Sequence, residues 1–220
     1  MSEEVNIEKQ RQRAPSKRAI QSRDRILDAA ERVFAQKGFD GATIRDIAAA
    51  ANTQVGLVHH HGGGKAELFA RTVQRRAAEL SALRLEMLNR RKATGPVILR
   101  DVLECFFGPY LDRAAAGGPQ WLAYARLVAL VSSDLRWRPI AAEVFDPTAN
   151  RFIDEIGALF PNAPRAAIAA GFVYSVSAML AQVTSTWRIQ ALGETDIRPD
   201  IQLDALVTFC AAGLTASLTS

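Results

Sequence analysis

Residues 43–62, TIRDIAAAANTQVGLVHHHG, decide the fold. Thr43 followed three residues later by Asp46 has the form of a capping box, in which a hydroxyl and an acid satisfy the first free amides of a helix. Ile44, Ile47, Ala48 and Ala51 then recur on one face, over two turns only. At Asn52 the chain must turn sharply, and Asn is the residue after Gly that best tolerates the left-handed conformation. A third short helix is expected from about Thr53 to His60, and Gly62, Gly63 and Gly64 break the chain after it. Two short helices joined by a tight turn predict a helix-turn-helix, whose second helix enters the major groove of DNA.

Outward from that core, the flanking segments complete a small domain. Upstream, Ile26, Leu27, Ala30, Val33 and Phe34 form one face of a helix from about Arg18 to Lys37, which Gly38 ends. Downstream, a long helix is expected from Lys65 to about Arg91, with Phe69, Val73, Leu80, Leu83 and Met87 inward. Ala48 is small where α-helices would cross closely, and Ile47 and Val58 can seal the space beneath. A three-helix unit of this size is marginal alone, so the long helix is expected to brace it. Beyond it, Gly95-Pro96, Gly117-Gly118-Pro119, Pro139, Pro161 to Pro164 and Pro199 divide the remainder into about five apolar helices.

The whole chain has 220 residues, 49% of them hydrophobic and 23% charged, which excludes disorder over most of its length. A chain this long buries roughly 70% of its unfolded surface, so it needs no staples. Frequent alanine and sparse strand punctuation give an all-α expectation: a three-helix helix-turn-helix domain over 18–70, a helical ligand-binding and dimerisation domain over 71–220, and a disordered basic arm over 1–17. Cys105 and Cys210 make no disulfide framework and fit a reducing cytoplasm. The uncharged stretch from Ala166 to Trp187 is long enough to span a membrane, but its alanines and the polar Gln182, Thr184, Ser185 and Thr186 predict a helix buried between protein surfaces. Charge is asymmetric: residues 1–92 hold 18 Lys and Arg against 11 Asp and Glu, whereas the remainder is net negative, so the first half should meet a polyanion.

Ile26-Leu27-Asp28-Ala29-Ala30 through Phe34, Gly38-Phe39, Thr43 to Ala48, Gly56-Leu57-Val58-His59-His60-His61, and Lys65 with Leu68 resemble the TetR family of bacterial transcriptional regulators, over about residues 20–70. The resemblance implies an all-helical homodimer with an N-terminal DNA-reading domain and a variable C-terminal domain that binds a small-molecule inducer and supplies the dimer contact. It implies no cofactor and no catalysis. Three positions depart from the family pattern: His59 and Gly62 stand where Tyr and Phe are usual, and Asn52 replaces the turn Gly. An aromatic lost at Gly62 would loosen the end of the recognition helix by around 3 kcal/mol if nothing refilled the site.

Carried over position by position, Thr43 and Lys65 match phosphate contacts, Arg45, Gln54, Val55, Gly56 and His60 match positions facing base edges, and Leu57 and His59 match backbone-facing positions. The chemistry suits those roles: a helix N-terminus and a lysine receive phosphate, Arg pairs with guanine, Gln pairs with adenine, and His59 can donate to a phosphate. Arg11, Arg13, Lys17 and Arg18 of the arm are candidates for a minor groove. His59, His60 and His61 point about 100° apart on a helix and cannot converge on one metal. As the chain's three histidines, they leave none for a catalytic Ser/His or Cys/His pair elsewhere, so no enzyme is expected.

In the C-terminal part, Phe106, Tyr110, Trp121, Tyr124 and Phe172 are candidates to line an apolar pocket, each with plain core packing as the alternative. Arg126 interrupts an apolar run, and a buried guanidinium there requires either a carboxylate such as Glu104 or Glu143 or the head of an acidic, apolar inducer. Dimerisation is expected through helices from about Pro164 to Leu192 and Asp200 to Ala216, with Ala170, Gly171, Ser177, Ala178 and Ala181 allowing close packing across a two-fold axis. Double-stranded DNA with a palindromic operator follows from that symmetry. The alternative is a helical ligand-binding or interaction protein whose helix-turn-helix no longer reads DNA.

Overall fold

The structure, a computed structural model, describes residues 17–193 and 199–219, with the side chains of 199–202 outside the description. The basic arm lies outside the described residues except for Lys17, which starts the first helix. All regular structure in the described residues is helical: α1 (Lys17–Gly41), α2 (Ile44–Ala50), α3 (Val55–Gly62), α4 (Lys65–Ala93), α5 (Leu99–Ala116), α6 (Gly118–Ser133), α7 (Arg138–Val144), α8 (Asp146–Leu159), α9 (Arg165–Thr184), α10 (Thr186–Gly193) and α11 (Pro199–Leu218). A short 3-10 turn, Leu135–Trp137, links α6 to α7.

Local signals account for the first three helices. Gly38, at φ 69° and ψ 176°, interrupts α1, as its lack of a side chain permits, and the chain makes one further turn to Gly41. The Thr43 hydroxyl accepts from the Asp46 amide at 3.1 Å while the Asp46 carboxylate accepts from the Thr43 amide at 3.0 Å, so the capping box opens α2. Asn52 turns the chain at φ 49°. The third helix starts two residues later than expected, with Gln54 rather than Thr53 at its edge.

The far end of α4 departs from the sequence reading. Its inward row is Phe69, Val73, Ala77, Leu80, Arg84 and Leu88, whereas Met87 is exposed and Leu83 only half-buried. Spacings of four, four, three, four and four keep one helical face, and holding that face requires an arginine in the row. Beyond α4 the expected five or so helices are seven among the described residues. Pro147 opens α8 directly after α7, and the single helix expected over 164–192 breaks at Ser185. There the hydroxyls of Thr184 and Thr186 bond back to the carbonyls of Leu180 and Gln182, offering the backbone an alternative to the helical ladder.

Two apolar cores result, and the first is not built by the N-terminal helices alone. Leu127 and Val131 of α6 and Trp137 of the 3-10 turn join Ile26, Phe34, Ile47, Val58, Leu68 and Phe69 in one cluster. Trp137 sits 4.4 Å from the Phe69 ring and 4.7 Å from the Phe39 ring, and Phe34 meets Phe69 edge-on at 5.0 Å. Beside these aromatics runs a polar seam. Glu31, fully buried on α1, accepts from Arg76 Nε at 2.8 Å and from Gln120 Nε2 at 2.9 Å, while Arg75 pairs with Asp28 at 2.5 Å. The second core joins α5, α6, α8, α9 and α11 around Phe106, Phe107, Tyr110, Phe152 and Phe172.

Candidate DNA-binding surface and ligand cavity

α3 buries only Val58 and Gly62, and the rest of the helix is solvent-facing or nearly so. Thr43, Arg45, Gln54, Val55, Gly56, Leu57, His59 and His60 are all exposed, along the start of α2 and the free faces of α3. Arg45 has no ion pair among the described residues, which leaves its fork available. Lys65 is half-buried: its ammonium donates to the Asp40 carbonyl at 3.2 Å and lies 4.6 Å from the centre of the Phe39 ring, so the charge is held at the α1–α2 corner. His59 Nδ1 lies 3.1 Å from the Gly63 carbonyl. With Nδ1–H donating there, Nε2 can donate to a phosphate only in the doubly protonated ring.

The mounting of α3 is tight. Lys37 pairs with Asp46 at 2.9 Å, and Arg71 joins the His61 carbonyl at 2.7 Å to Glu67 at 2.6 Å. The loosening expected at Gly62 does not follow, because the site is refilled from α4. A Cβ at Gly62 would stand 2.8 Å from Leu68 Cδ1, and Leu68 is itself fully buried. Leu68 thus occupies the space that an aromatic at position 62 would need. Lys37, the Thr43 hydroxyl and the Thr43 amide, all bonded to the Asp46 carboxylate, hold that carboxyl below its ordinary value. Thr43→Ala should cost about 1 kcal/mol of stability in urea unfolding at neutral pH. That loss should shrink as pH falls from about 3.8 toward the lowered native value, through which the native Asp46 carboxylate takes up its proton and the box weakens.

In the C-terminal part, a cavity of about 1430 Å³ opens between α6, α8, α9 and α4. Of the expected lining residues, Phe106, Arg126 and Phe172 are on its wall, whereas Tyr110, Trp121 and Tyr124 are not. These three are buried in packing: the Tyr110 hydroxyl donates to the Ala125 carbonyl at 2.9 Å, and Trp121 meets Tyr124 edge-on at 5.6 Å. Arg126, expected to be buried, is exposed, with no ion pair among the described residues to Glu104, Glu143 or any other carboxylate. The apolar run around it wraps α6 against two cores, and position 126 falls on the side that neither covers. The buried cation is instead Arg84, which sequence reasoning missed. The available signal was a charge four residues from both Leu80 and Leu88 on one apolar row.

The expected dimer surface is also redistributed. Gly171 faces α11 of the same chain, since a Cβ there would come 2.5 Å from Leu214 Cδ2. Val173, Tyr174 and Phe209 are exposed on the outer sides of α9 and α11, the last two at 72%. α9 is long and apolar enough to cross a membrane, and only 28% of its most apolar window is buried within the chain.

Comparison with known proteins agrees with this architecture. Residues 26–72 match the family described as bacterial regulatory proteins, tetR family, and residues 104–213, half of the chain, match the tetracyclin repressor-like C-terminal domain. The HTH-type transcriptional repressor AcnR of Corynebacterium efficiens is 35% identical over 68 residues, 31% of this chain and 36% of that protein. The chain thus spans about a third of the curated relatives it matches. Among solved structures, the fatty acid degradation regulator FadR of Bacillus halodurans superposes with a TM-score of 0.63 at 16% identity, covering 92% of this chain and 98% of that one. A tetR-family regulatory protein of Rhodococcus RHA1 superposes with a TM-score of 0.61 at 22% identity, covering 90% and 97%. At those identities the structures speak to the fold alone, while the two matched domains carry the assignment: the chain belongs to the tetR family of bacterial regulatory proteins.

Proposed function

We propose that this protein is a repressor that binds a palindromic operator as a homodimer and is released by a small molecule entering the C-terminal cavity. The observation that carries the reading is the presentation of α3, held by Val58, Gly62 and Leu68 with every other side chain left to solvent or its edge. Thr43 and Lys65 receive phosphates at the two ends of the motif, and Arg45, Gln54, Val55, Gly56 and His60 face the bases, with Leu57 and His59 along the backbone. The alternative of a decayed reader drew on Gly62, and Leu68 removes that support.

Release fits the placement of the cavity. Its wall includes Ala35, Gln36 and Gly38 of α1 as well as residues of α6, α8 and α9, so an occupant touches the DNA-reading half and the C-terminal half together. A ligand that favours a spacing of α3 helices unfit for DNA weakens DNA binding by the factor by which DNA weakens ligand binding. Selection of genomic fragments on the purified protein at stated, near-physiological salt tests the operator claim. Enrichment of inverted repeats with half-sites about 34 Å or a multiple apart is expected. Uniform retention of all fragments would overturn it.

The exposed apolar sides of α9 and α11 supply the two-fold contact in this reading. Phe209→Asp should shift the mass in light scattering from dimer to monomer while leaving helical content unchanged, because Phe209 is 72% exposed in the single chain. A dimer that persists in this variant and in Tyr174→Asp would place the contact elsewhere.

A further inference from the structure

Arg84 is charged, 6% exposed, and has no carboxylate partner among the described residues. Its Nε–H donates to the Phe106 carbonyl at 2.9 Å, its Nη2 approaches the Met179 sulfur at 3.9 Å, and its guanidinium carbon lies 3.7 Å from the centre of the Phe106 ring. A guanidinium carries five N–H donors, so one carbonyl and one weak sulfur acceptor leave it under-satisfied. The contrast within the chain is sharp: Arg75, Arg76, Arg91, Arg100 and Arg136 each pair with a carboxylate. Burying a charge without a partner is costly. Desolvation pulls the Arg84 pKa down to about 10, which still leaves it a cation at neutral pH.

The surroundings say what would complete it. Arg84 is part of the cavity wall, together with apolar groups such as Leu80, Ile153, Phe172, Val176 and Leu180. A second polar group is also unsatisfied nearby, because the Tyr124 hydroxyl, which feels the Arg84 charge, is buried without a hydrogen-bond partner among the described residues. Polar side chains such as Asp146, Asn150 and Gln190 share this wall, but around Arg84 it is apolar, and a cavity of this size with a buried cation that has no carboxylate partner among the described residues selects an amphipathic anion. Building on the reading of the cavity as the inducer site, we propose that Arg84 is the head-group anchor for a carboxylate with an apolar body, and that the exposed Arg126 at the rim is not. The carboxylate accepts from the free Nη donors, and its body lies against Phe172, Ile153, Val176 and Leu180.

The test is calorimetric titration of the full chain with straight-chain carboxylates from hexanoate to hexadecanoate, an aromatic carboxylate series, and the primary amide of each. The wild type should bind at least one carboxylate about tenfold or more tightly than its amide, as expected for a charge-assisted bidentate contact. Arg84→Met should abolish that preference while leaving amide affinity unchanged. Arg84→Lys should retain part of it, and Arg126→Met should leave it intact. Thermal unfolding of Arg84→Met should hold or rise, since an uncompensated buried charge gives way to a side chain of similar length, so loss of fold is separable from loss of anchoring. Equal binding of acids and amides, a carboxylate preference that survives in Arg84→Met, or no carboxylate binding at all would overturn the anchor. The operator-release reading is scored separately: amides and acids that release DNA equally from wild type and Arg84→Met would sustain it while removing the anchor.

Discussion

Trp137→Ala should lower the unfolding free energy by about 3–5 kcal/mol, the range for removing a buried tryptophan from a packed core. The indole is only 9% exposed and is held between Phe39 and Phe69, with ring centres 4.7 and 4.4 Å away. Although it lies far beyond the helix-turn-helix in the chain, it closes the core on which α2 and α3 rest. Arg136 beside it pairs with Asp40 at 2.9 Å, which ties the same turn to the end of α1. Operator affinity should therefore fall with stability, and Trp137→Phe should recover most of both. Urea unfolding followed by circular dichroism gives the first quantity and operator titration the second. A loss below about 1 kcal/mol would mean that the N-terminal helices stand without this prop.

Arg76→Met should be similarly damaging, by about 3–5 kcal/mol near neutral pH, because it leaves the Glu31 carboxylate buried with its main partner gone. In the intact protein, burial already raises the Glu31 pKa above its ordinary 4.5, against the lowering pull of Arg76 and Arg75. The native state then holds a proton that the unfolded state has released, so this group's contribution to stability falls as pH rises from about 4.5 to the raised native value. Removing Arg76 lifts that value further and widens the window. The destabilisation of Arg76→Met should accordingly be small near pH 4.5 and grow toward neutrality. Glu31→Gln should restore much of the lost stability in the Arg76→Met background by removing the charge. A deficit that does not change with pH would show that Arg76 acts by packing on Trp121, whose ring lies 5.1 Å from its guanidinium carbon.

Much of the candidate DNA-binding surface was legible from sequence because its signals are short. The pairing of Thr43 with Asp46, the left-handed turn at Asn52 and the break after Gly62 act between residues at most four apart. The cavity was harder to read. Tyr110, Trp121 and Tyr124 share the spacing and chemistry of Phe106 and Phe172, yet one group fills the core and the other borders the cavity. Arg126 and Arg84 exchange roles for the same reason: a helix row names its own face but does not say what covers it.

The sequence alone therefore determined the all-α class, the helix-turn-helix and which of its side chains are candidates to meet DNA, since capping, turn conformation and helical periodicity depend on neighbours along the chain. Only the tertiary structure decided that Leu68 fills the space beside Gly62, that Trp137 seals the DNA-reading core, that Gly171 meets Leu214 within one chain, and that Arg84 is the buried cation. Each of these depends on which faces of separate segments meet, and close-packed interiors select those faces by shape and volume across the whole molecule.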